Sequence, residues 1–501
     1  MNEKTIRETL LKGERVTLEC KKAKAEVPKS VWQSYSAFAN TIGGLILLGI
    51  DEDLKEKDLS KRFQIIGVED SQKIRTDFWN TINSDKVSEN ILADKDVEVV
   101  DMDGKKIVCI HVPMADYRMK PIYLNGNVYK GTYRRNHEGD YHCTERQVRT
   151  MVRDSFEEGN DGIMMHHYNM DDIDLDSLHR YRNHFKVRND GHVWNEADDK
   201  VFLKNLGGYI VDRETGEEGL SMAGLMMFGK GLPIRERFDN FRMDYINFCN
   251  LIGDERYSDR LTYDGRWENN LYQFFTIVMP KMTFDLPRPF RMEGVVRVDD
   301  TPQHKAVREA FTNAIIHADL MADAGILRIE KHDDKLCFRN PGLLRLPIEQ
   351  IYEGGNSKAR NPRIQNMLRM IGFGENLGSG FPKIIAAWKE TNWGEPELKN
   401  KIELDEVELI LPVSAPKAVN ATVNATVNAT VKLSKTHKRI LSILHENKYA
   451  TYDEMAKQLG VERTTVWRNV DTMKKNSVIK RVGGDKNGYW ELLIDIKALN
   501  S

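Results

Sequence analysis

The chain has 501 residues, 40% of them apolar and 30% charged, with a formal net charge of −2. At roughly 150 residues per domain this length corresponds to about three domains with ordinary cores, and the near-neutral balance excludes a polycation, so nucleic-acid affinity must come from local patches. The five cysteines (Cys20, Cys109, Cys143, Cys249, Cys337) form no CxxC pair, which argues against a zinc knuckle and suits a reducing compartment. The opening MNEKTIRETLLKGERVTLEC is charged throughout and is not a signal peptide. The longest apolar run, Leu45–Leu48, is far shorter than the ~20 residues of a membrane span. The expectation is a cytoplasmic protein with no membrane partner.

In chain order, GERVTLECKKA (13–23) places Glu14 and Glu19 five residues apart. In one strand that separation puts them on opposite faces. They converge only across a turn or bulge, or if Glu14 precedes the strand. Residues 28–42 form a helical pattern with Pro28 in the first turn. ILLGID (46–51) is a buried strand ending at Asp51, and KKIVCIHVP (105–113) and NVYKGTYRR (127–135) are further strands. Carboxylates at Glu14, Glu19 and Asp51 could hold a divalent metal for phosphodiester hydrolysis; acids flanking strands are also ordinary solvated groups. Tyr129, Lys130, Arg134 and Arg135 make a basic, aromatic strand able to meet a nucleic-acid backbone.

Helices dominate the start of the next region. MMHHYNMDDIDLD (164–176) reads as a surface loop leading into a helix, with metal binding as the alternative. HKAVREAFTNAIIHAD (304–319) is a helix with Glu309, Asn313 and His317 on one stripe. An acid that activates water and an amide that helps hold magnesium fit that face; a solvated amphipathic helix is the alternative. ILRIEKHDDKLCFRNPG (326–342) is a hairpin, ending in Asn340, Pro341 and Gly342. GFGENLGSGFPKI (372–384) is a glycine-rich loop opening a helix, where backbone N–H groups can reach phosphates. No GxxxxGK[ST] motif is present, which argues against a P-loop motor.

Residues 419–430 read VNATVNATVNAT, a tract too short and polar to bury a core, hence a linker. Beyond it, helices over 436–447, 451–460 and 461–477 precede a hairpin over 478–493. Thr451 and Glu454 form a capping box and Gly460 stops the second helix. This is a winged helix-turn-helix. Thr464, Thr465 and Arg468 face outward from the recognition helix, Val466, Val470 and Met473 inward. Lys474, Lys475, Lys480, Arg481 and Lys486 are placed for phosphates. Residues 432–501 hold fourteen Lys/Arg and eight Asp/Glu. Use of the module for protein contact is the alternative.

Two resemblances extend this reading. GExxxLECK, SAFANTIGGLILLGIDED and KPIYLNGNVYKGTYRR resemble the Schlafen AlbA-type (divergent AAA) domain over about residues 8–150. Arg15 and Cys20 depart from its usual Glu-Ser-x-x-x-Glu-Phe-Lys opening, whereas Glu14, Glu19 and Lys21 match it. The resemblance implies that Glu14, Glu19 and Asp51 are a catalytic, metal-binding set in nucleolytic members, and that Lys21, Lys130, Arg134 and Arg135 contact nucleic acid. The helix, strand-turn and glycine loop resemble a GHKL-type ATP-binding fold, and GLSMAGLMMFGK (219–230) with RNPRIQNMLRMIGFGENLGSGFPKI (360–384) is similar to the ATPase-like region of bacterial regulators. It implies ATP and Mg2+ as cofactors, Glu309 as general base, Asn313 as the magnesium-associated amide, and Asn340, Gly342, Gly378 and Gly380 around the nucleotide. Asn340 stands where that fold usually has an adenine-reading Asp, and Pro341 stiffens the turn.

The expected architecture is multidomain α+β: a Schlafen AlbA-type α/β domain (1–150), a helical connector with a GHKL-like α/β sandwich (151–415), a flexible VNAT-repeat linker (416–431) and a winged helix (432–501). The expected function is a DNA-contacting, ATP-sensing transcriptional regulator, plausible as a homodimer. The alternatives are a metal-dependent nuclease acting on RNA or DNA, a weak ATPase, or a scaffold with both sites dead.

Overall fold

In the computed structural model the described residues are all except 1, 12, 14–15, 54, 57, 157–158, 252–253, 288–291, 294–295, 298–299, 323–324, 375–379, 415–434, 476–477, 483–488 and 493–501. The VNAT tract therefore lies outside them. The chain divides into two compact units, Met1–Ala415 and Pro416–Ser501. Among the described residues no helix is long and apolar enough to cross a membrane. All five cysteines are buried free thiols.

The N-terminal part of the first unit contains α1 (Glu3–Leu10), β1 (Leu18–Lys21), α2 (Ser30–Asn40), β2 (Gly44–Leu48), β3 (Ile50–Glu52), β4 (Phe63–Ile65), α3 (Ser71–Ile82), β5 (Val97–Met102) and β6 (Lys105–Val112). β1, β2, β6 and β5 form one sheet in that order, with β1 and β2 parallel. The apolar run of β2 is buried because apolar residues cover both faces of the sheet: Val108 and Ile110 join one core, Cys109 and Ile107 the other. α2 is buried along nearly its whole length. Its last residue, Asn40, anchors the following chain: Nδ2 donates to the carbonyls of Ile122 (2.8 Å) and Tyr133 (3.0 Å), and Oδ1 accepts from Ile122 N–H (2.8 Å).

Residues 127–135 differ from the expected strand. Asn127 Oδ1 accepts from the N–H groups of Tyr129 and Lys130 and caps a helical turn, α4 (Val128–Gly131). An Asn side chain competing for local N–H groups favours such a turn over a ladder. The strand begins only at β7 (Tyr133–Asn136), which pairs with β8 (Gly139–His142) and leads into α5 (Glu145–Asp154).

The larger core of this unit runs from Met165 to Leu411. Its elements are α6 (Leu175–Arg188), α7 (Met222–Phe228), β9 (Arg242–Asn247), β10 (Asp259–Leu261), α8 (Leu271–Thr283), α9 (Pro302–Ile316), β11 (Ile326–Lys331), β12 (Lys335–Pro341), α10 (Pro362–Met370), α11 (Gly380–Lys389), β13 (Glu397–Lys401) and β14 (Glu406–Pro412). The six-stranded sheet has the order β10-β9-β11-β12-β14-β13, antiparallel except for β9 with β11. Period-2 alternation separates its faces. Leu327, Ile329, Leu336, Phe338, Leu409 and Leu411 enter the helix-covered core. The opposite series carries charge: Asp244 lies 3.8 Å from Arg328, Glu330 3.3 Å from Arg339, Arg339 2.6 Å from Glu408, and Glu408 2.8 Å from Lys401. Asn340 follows Leu336 and Phe338 in the inward phase, a polar residue on an apolar face.

The second unit is built from α12 (Lys435–Glu446), α13 (Tyr452–Leu459), α14 (Arg463–Lys475), β15 (Ile479–Val482) and β16 (Tyr489–Leu492). The Thr451–Glu454 capping box forms on α13, and Gly460 takes φ +68° to end it. Val466, Val470 and Met473 are buried with Ile440, Leu444 and Trp490.

Replacing Asn40 by Ala leaves the Ile122 and Tyr133 backbone groups without partners in a buried site. At about 1–3 kcal/mol per unsatisfied group, Asn40→Ala is expected to cost about 3 kcal/mol, read as a lower denaturation midpoint of the full chain in urea.

Candidate functional site

α9 starts at Thr301, whose hydroxyl accepts from His304 N–H at 3.3 Å, with Pro302 in its first turn. Helical spacing then sets Glu309, Asn313 and His317 along one stripe, and all three line a pocket of about 120 Å³ closed on the sheet side by Phe338, Asn340 and Val407. Asn313 Nδ2 donates to Glu309 Oε1 at 3.3 Å. Asn340 is 5% exposed, and its Nδ2 is buried with no hydrogen-bond partner. A buried donor without an acceptor costs about 1–3 kcal/mol.

Gly380, the first residue of α11, closes the other end. A Cβ there would lie 2.1 Å from Glu309 Oε1 and 3.3 Å from Asn313 Nδ2. A side chain there would push the Glu309 carboxylate out of its present position, so the glycine brings the helix start close to the pair. The residues therefore fit a nucleotide with magnesium: an amide for a base edge at Asn340, and an acid, an amide and open backbone for phosphates and a cation at the other end. Whole small-molecule sites typically enclose about 300–1,000 Å³, so this smaller pocket suits the base alone. Gly378 lies outside the described residues.

Gly342 is corrected. It has φ +92°, lies beneath Arg360 and lines a neighbouring cavity rather than this pocket. Its carbon-free side is taken by the guanidinium: a Cβ would meet Arg360 Nη1 at 2.4 Å. Arg360 itself was not singled out by sequence reasoning. It donates to the His317 carbonyl at 2.7 Å and to Asp154 Oδ2 at 2.9 Å.

In the N-terminal part, β1 begins at Leu18, so Glu14 precedes the strand and lies outside the described residues. Glu19 is buried, with Oε2 2.6 Å from Arg135 Nη1 and Oε1 bonded to Lys21. Asp51 stands on β3, 2.5 Å from Lys22. Arg135 is corrected as a nucleic-acid contact: it is 0% exposed and also holds Asp140 (3.0 Å) and the Leu18 carbonyl (2.9 Å). Arg134 donates to the Ile402 carbonyl at 2.5 Å and faces Asp405. Tyr129 and Lys130 are exposed, on the helical turn. Donor atoms of Glu330, His332 and Cys337 also lie within 4.8 Å of one another, but Glu330 already belongs to the charge ladder of the sheet.

On the winged helix, Thr464, Thr465, Arg468, Lys474 and Lys480 are exposed. The Lys475 side chain and Lys486 lie outside the described residues. Arg481 rests over the Trp490 ring at 4.9 Å. Trp467, which sequence reasoning passed over, is 55% exposed between Thr465 and Arg468. Its position out of phase with Val466 and Val470 is the signal that marks it.

Comparisons with known proteins agree with this layout. Residues 14–144 match the family described as Schlafen, AlbA_2, and residues 149–244 a domain of unknown function (DUF8451). Residues 326–411 match the family described as "Putative ATP-dependent DNA helicase recG C-terminal" (HATPase_c_4), and residues 433–480 match winged helix-turn-helix DNA-binding domains. No curated protein matches the chain. Among solved structures it is similar to the DIP2311 protein of Corynebacterium diphtheriae, at 15% identity over 97% of this chain and 98% of that one, with a TM-score of 0.39. It is also similar to the N-terminal domain of a RecG-related protein from Nitrosomonas europaea, at 24% identity over 29% of this chain and 94% of that one, with a TM-score of 0.23. Neither superposition bears on the site. The chain carries a Schlafen AlbA_2 domain, a RecG-like HATPase_c_4 region and a C-terminal winged helix-turn-helix. The HATPase_c_4 match begins downstream of α9, so the place of Glu309 and Asn313 in the pocket rests on geometry.

Burial, with the positive charges of Arg360 and Arg345, pushes His317 down to about 4. The unfolded chain protonates such a group near pH 6.5, so between about 6.5 and 4 the unfolded state binds more protons and stability falls as pH drops. Burial raises Asp161 to about 6, which acts oppositely in the same window because the folded state takes up that proton first. The wild type minus His317→Gln difference isolates the histidine: the wild type's advantage should shrink by about 3 kcal/mol from pH 7 to 4. A pH-independent difference in urea unfolding would show that His317 is not held neutral.

Proposed function

We propose that the protein is a cytoplasmic, ATP-responsive DNA-binding regulator of transcription. The observation that carries this is the unpartnered Asn340 amide, buried opposite the Glu309–Asn313 stripe in a chain that also carries a winged helix. Asn340 offers a base edge both a donor and an acceptor, where a carboxylate offers acceptors alone. Asn313 would help hold a magnesium ion, which when bound supplies charge neutralisation at the phosphates. Glu309, one helical turn away, would take a proton from water, so slow ATP hydrolysis is part of the proposal.

The winged helix would enter the major groove with Thr464, Thr465, Trp467 and Arg468, while Lys474 and Lys480 meet phosphates. On its composition the VNAT segment (416–431) reads as a linker, and a linker of that kind would transmit proximity rather than torque. ATP would therefore act through pairing of two copies, which multiplies affinity for a palindromic site without any new DNA contact. The alternative of a metal-dependent nuclease draws less support: a cation at Glu19 must compete with Arg135 and Lys21, which already occupy both carboxylate oxygens.

Two measurements test this reading. ATP with magnesium should raise the unfolding temperature of wild type and not of Asn313→Ala; equal shifts would remove Asn313 from the site. Deleting residues 432–501 should abolish salt-sensitive binding to duplex DNA; unchanged affinity in a gel-shift titration would move the DNA contact to the first unit.

A further inference from the structure

Behind the nucleotide pocket lies a second, larger cavity of about 550 Å³, between α5 of the N-terminal part and the Gly342–Arg345 turn after β12. The two share Leu343, Leu344, Arg345 and Arg360 as a common wall, but Glu309, Asn313 and Asn340 do not line the second. Its walls carry seven cationic side chains (Lys120, Arg134, Arg146, Arg149, Arg153, Arg345 and Arg360) against three carboxylates, Asp154, Asp319 and Asp405.

The internal pairs do not exhaust these cations. Asp154 serves Arg360 at 2.9 Å and Arg345 at 3.5 Å, and Asp319 serves Arg153 at 2.5 Å. Even so, Nε of Arg153, Nε and Nη2 of Arg345 and Nε of Arg360 are buried without hydrogen bonds. The side chains of Arg345 and Arg360 are 7% and 5% exposed, and Arg345 is held over the Tyr117 ring at 4.7 Å. A buried guanidinium with open N–H groups is costly unless an anion completes it, and its planar fork matches phosphate oxygens. Arg146 and Arg149, exposed one helical turn apart on α5, stand at the mouth.

We infer that this cavity is a binding site for a small oligophosphate, separate from the ATP pocket. Its volume falls in the range of small-molecule sites, about 300–1,000 Å³, and its excess of arginine asks for several negative charges close together. The free anion and a phosphate ester of a nucleoside share this chemistry. A ligand here would touch Arg345 and Arg360, which also wall the nucleotide pocket, so the two sites would be thermodynamically coupled.

The test is isothermal titration of the full chain with sodium tripolyphosphate at low salt without magnesium. Wild type should bind near one equivalent, and Arg146→Glu/Arg149→Glu should weaken it by about tenfold or more with an unchanged unfolding temperature. Asn313→Ala, in the other pocket, should leave it intact. In that variant, displacement of tripolyphosphate by ATP would assign the nucleoside ester, and failure to displace would assign the free anion; each supports the site. The inference is overturned by absence of binding at millimolar concentration, or by loss in Asn313→Ala with retention in the charge-reversed variant. It is also overturned if a single-stranded oligonucleotide competes with the same arginine dependence, which would make the cleft a nucleic-acid surface. Loss of ATP binding in the Proposed function tests leaves these outcomes unaffected.

Discussion

The end of α9 is the constraint on which the first unit depends. A helix terminus leaves carbonyls that need donors, and here the neighbouring pair Arg360–Asn361 supplies them. Arg360 Nη1 reaches the His317 carbonyl, and Asn361 Nδ2 reaches those of Ile315 (3.2 Å) and Ala318 (2.8 Å). This fixes the helix that carries Glu309 and Asn313 against the start of α10. The cost is a buried guanidinium, offset by Asp154 at the last position of α5. Burial alone would raise the Asp154 carboxyl, but Arg360, Arg345 and Arg153 hold it down at about 2. Removing one partner of such a pair typically costs about 3–5 kcal/mol, because the other charge stays buried and uncompensated. One ion pair thus ties the N-terminal part to the helix that carries Glu309 and Asn313.

The six-stranded sheet divides its two faces by the same economy. Inward positions are mostly apolar, with Asn340 and Lys331 as buried polar members, and outward positions carry ion pairs from Asp244 to Lys401. The outer ion pairs still leave Asp244 Oδ1 and Arg328 Nε buried without hydrogen bonds. On the inward face Lys331 is held by the Lys281 carbonyl and Asp285, whereas Asn340 Nδ2, which lines the pocket, has no partner.

The winged helix is legible in the sequence because its determinants are local: a capping box at Thr451–Glu454, a left-handed glycine at Gly460, and Val466, Val470 and Met473 at helical spacing. The β11–β12 hairpin and the α9 stripe are legible for the same reason. The strand expected over 127–135 fails at Asn127, where side-chain capping outcompetes a ladder. Arg135 reads as a surface cation because charge pattern carries no information about depth; only the fold reveals that Glu19, 116 positions away, and Asp140, opposite it in the β7–β8 hairpin, surround it. The Asp154–Arg360 pair joins residues 206 positions apart, beyond any periodicity. Gly342 shows the same limit: its positive φ is readable from an Asn-Pro-Gly turn, while the guanidinium beneath it is not.

The central claim is that the pocket between α9 and the sheet receives ATP. Hydrogen–deuterium exchange of the full chain with and without ATP and magnesium tests it most directly, because it locates the ligand on the backbone. The account predicts slowed exchange in the segment 343–360 and at the start of α11, both of which line the pocket, with α13 and α14 unchanged at protein concentrations where the chain stays monomeric. Unchanged exchange in both segments under saturating ATP, or protection confined to other regions, would contradict it.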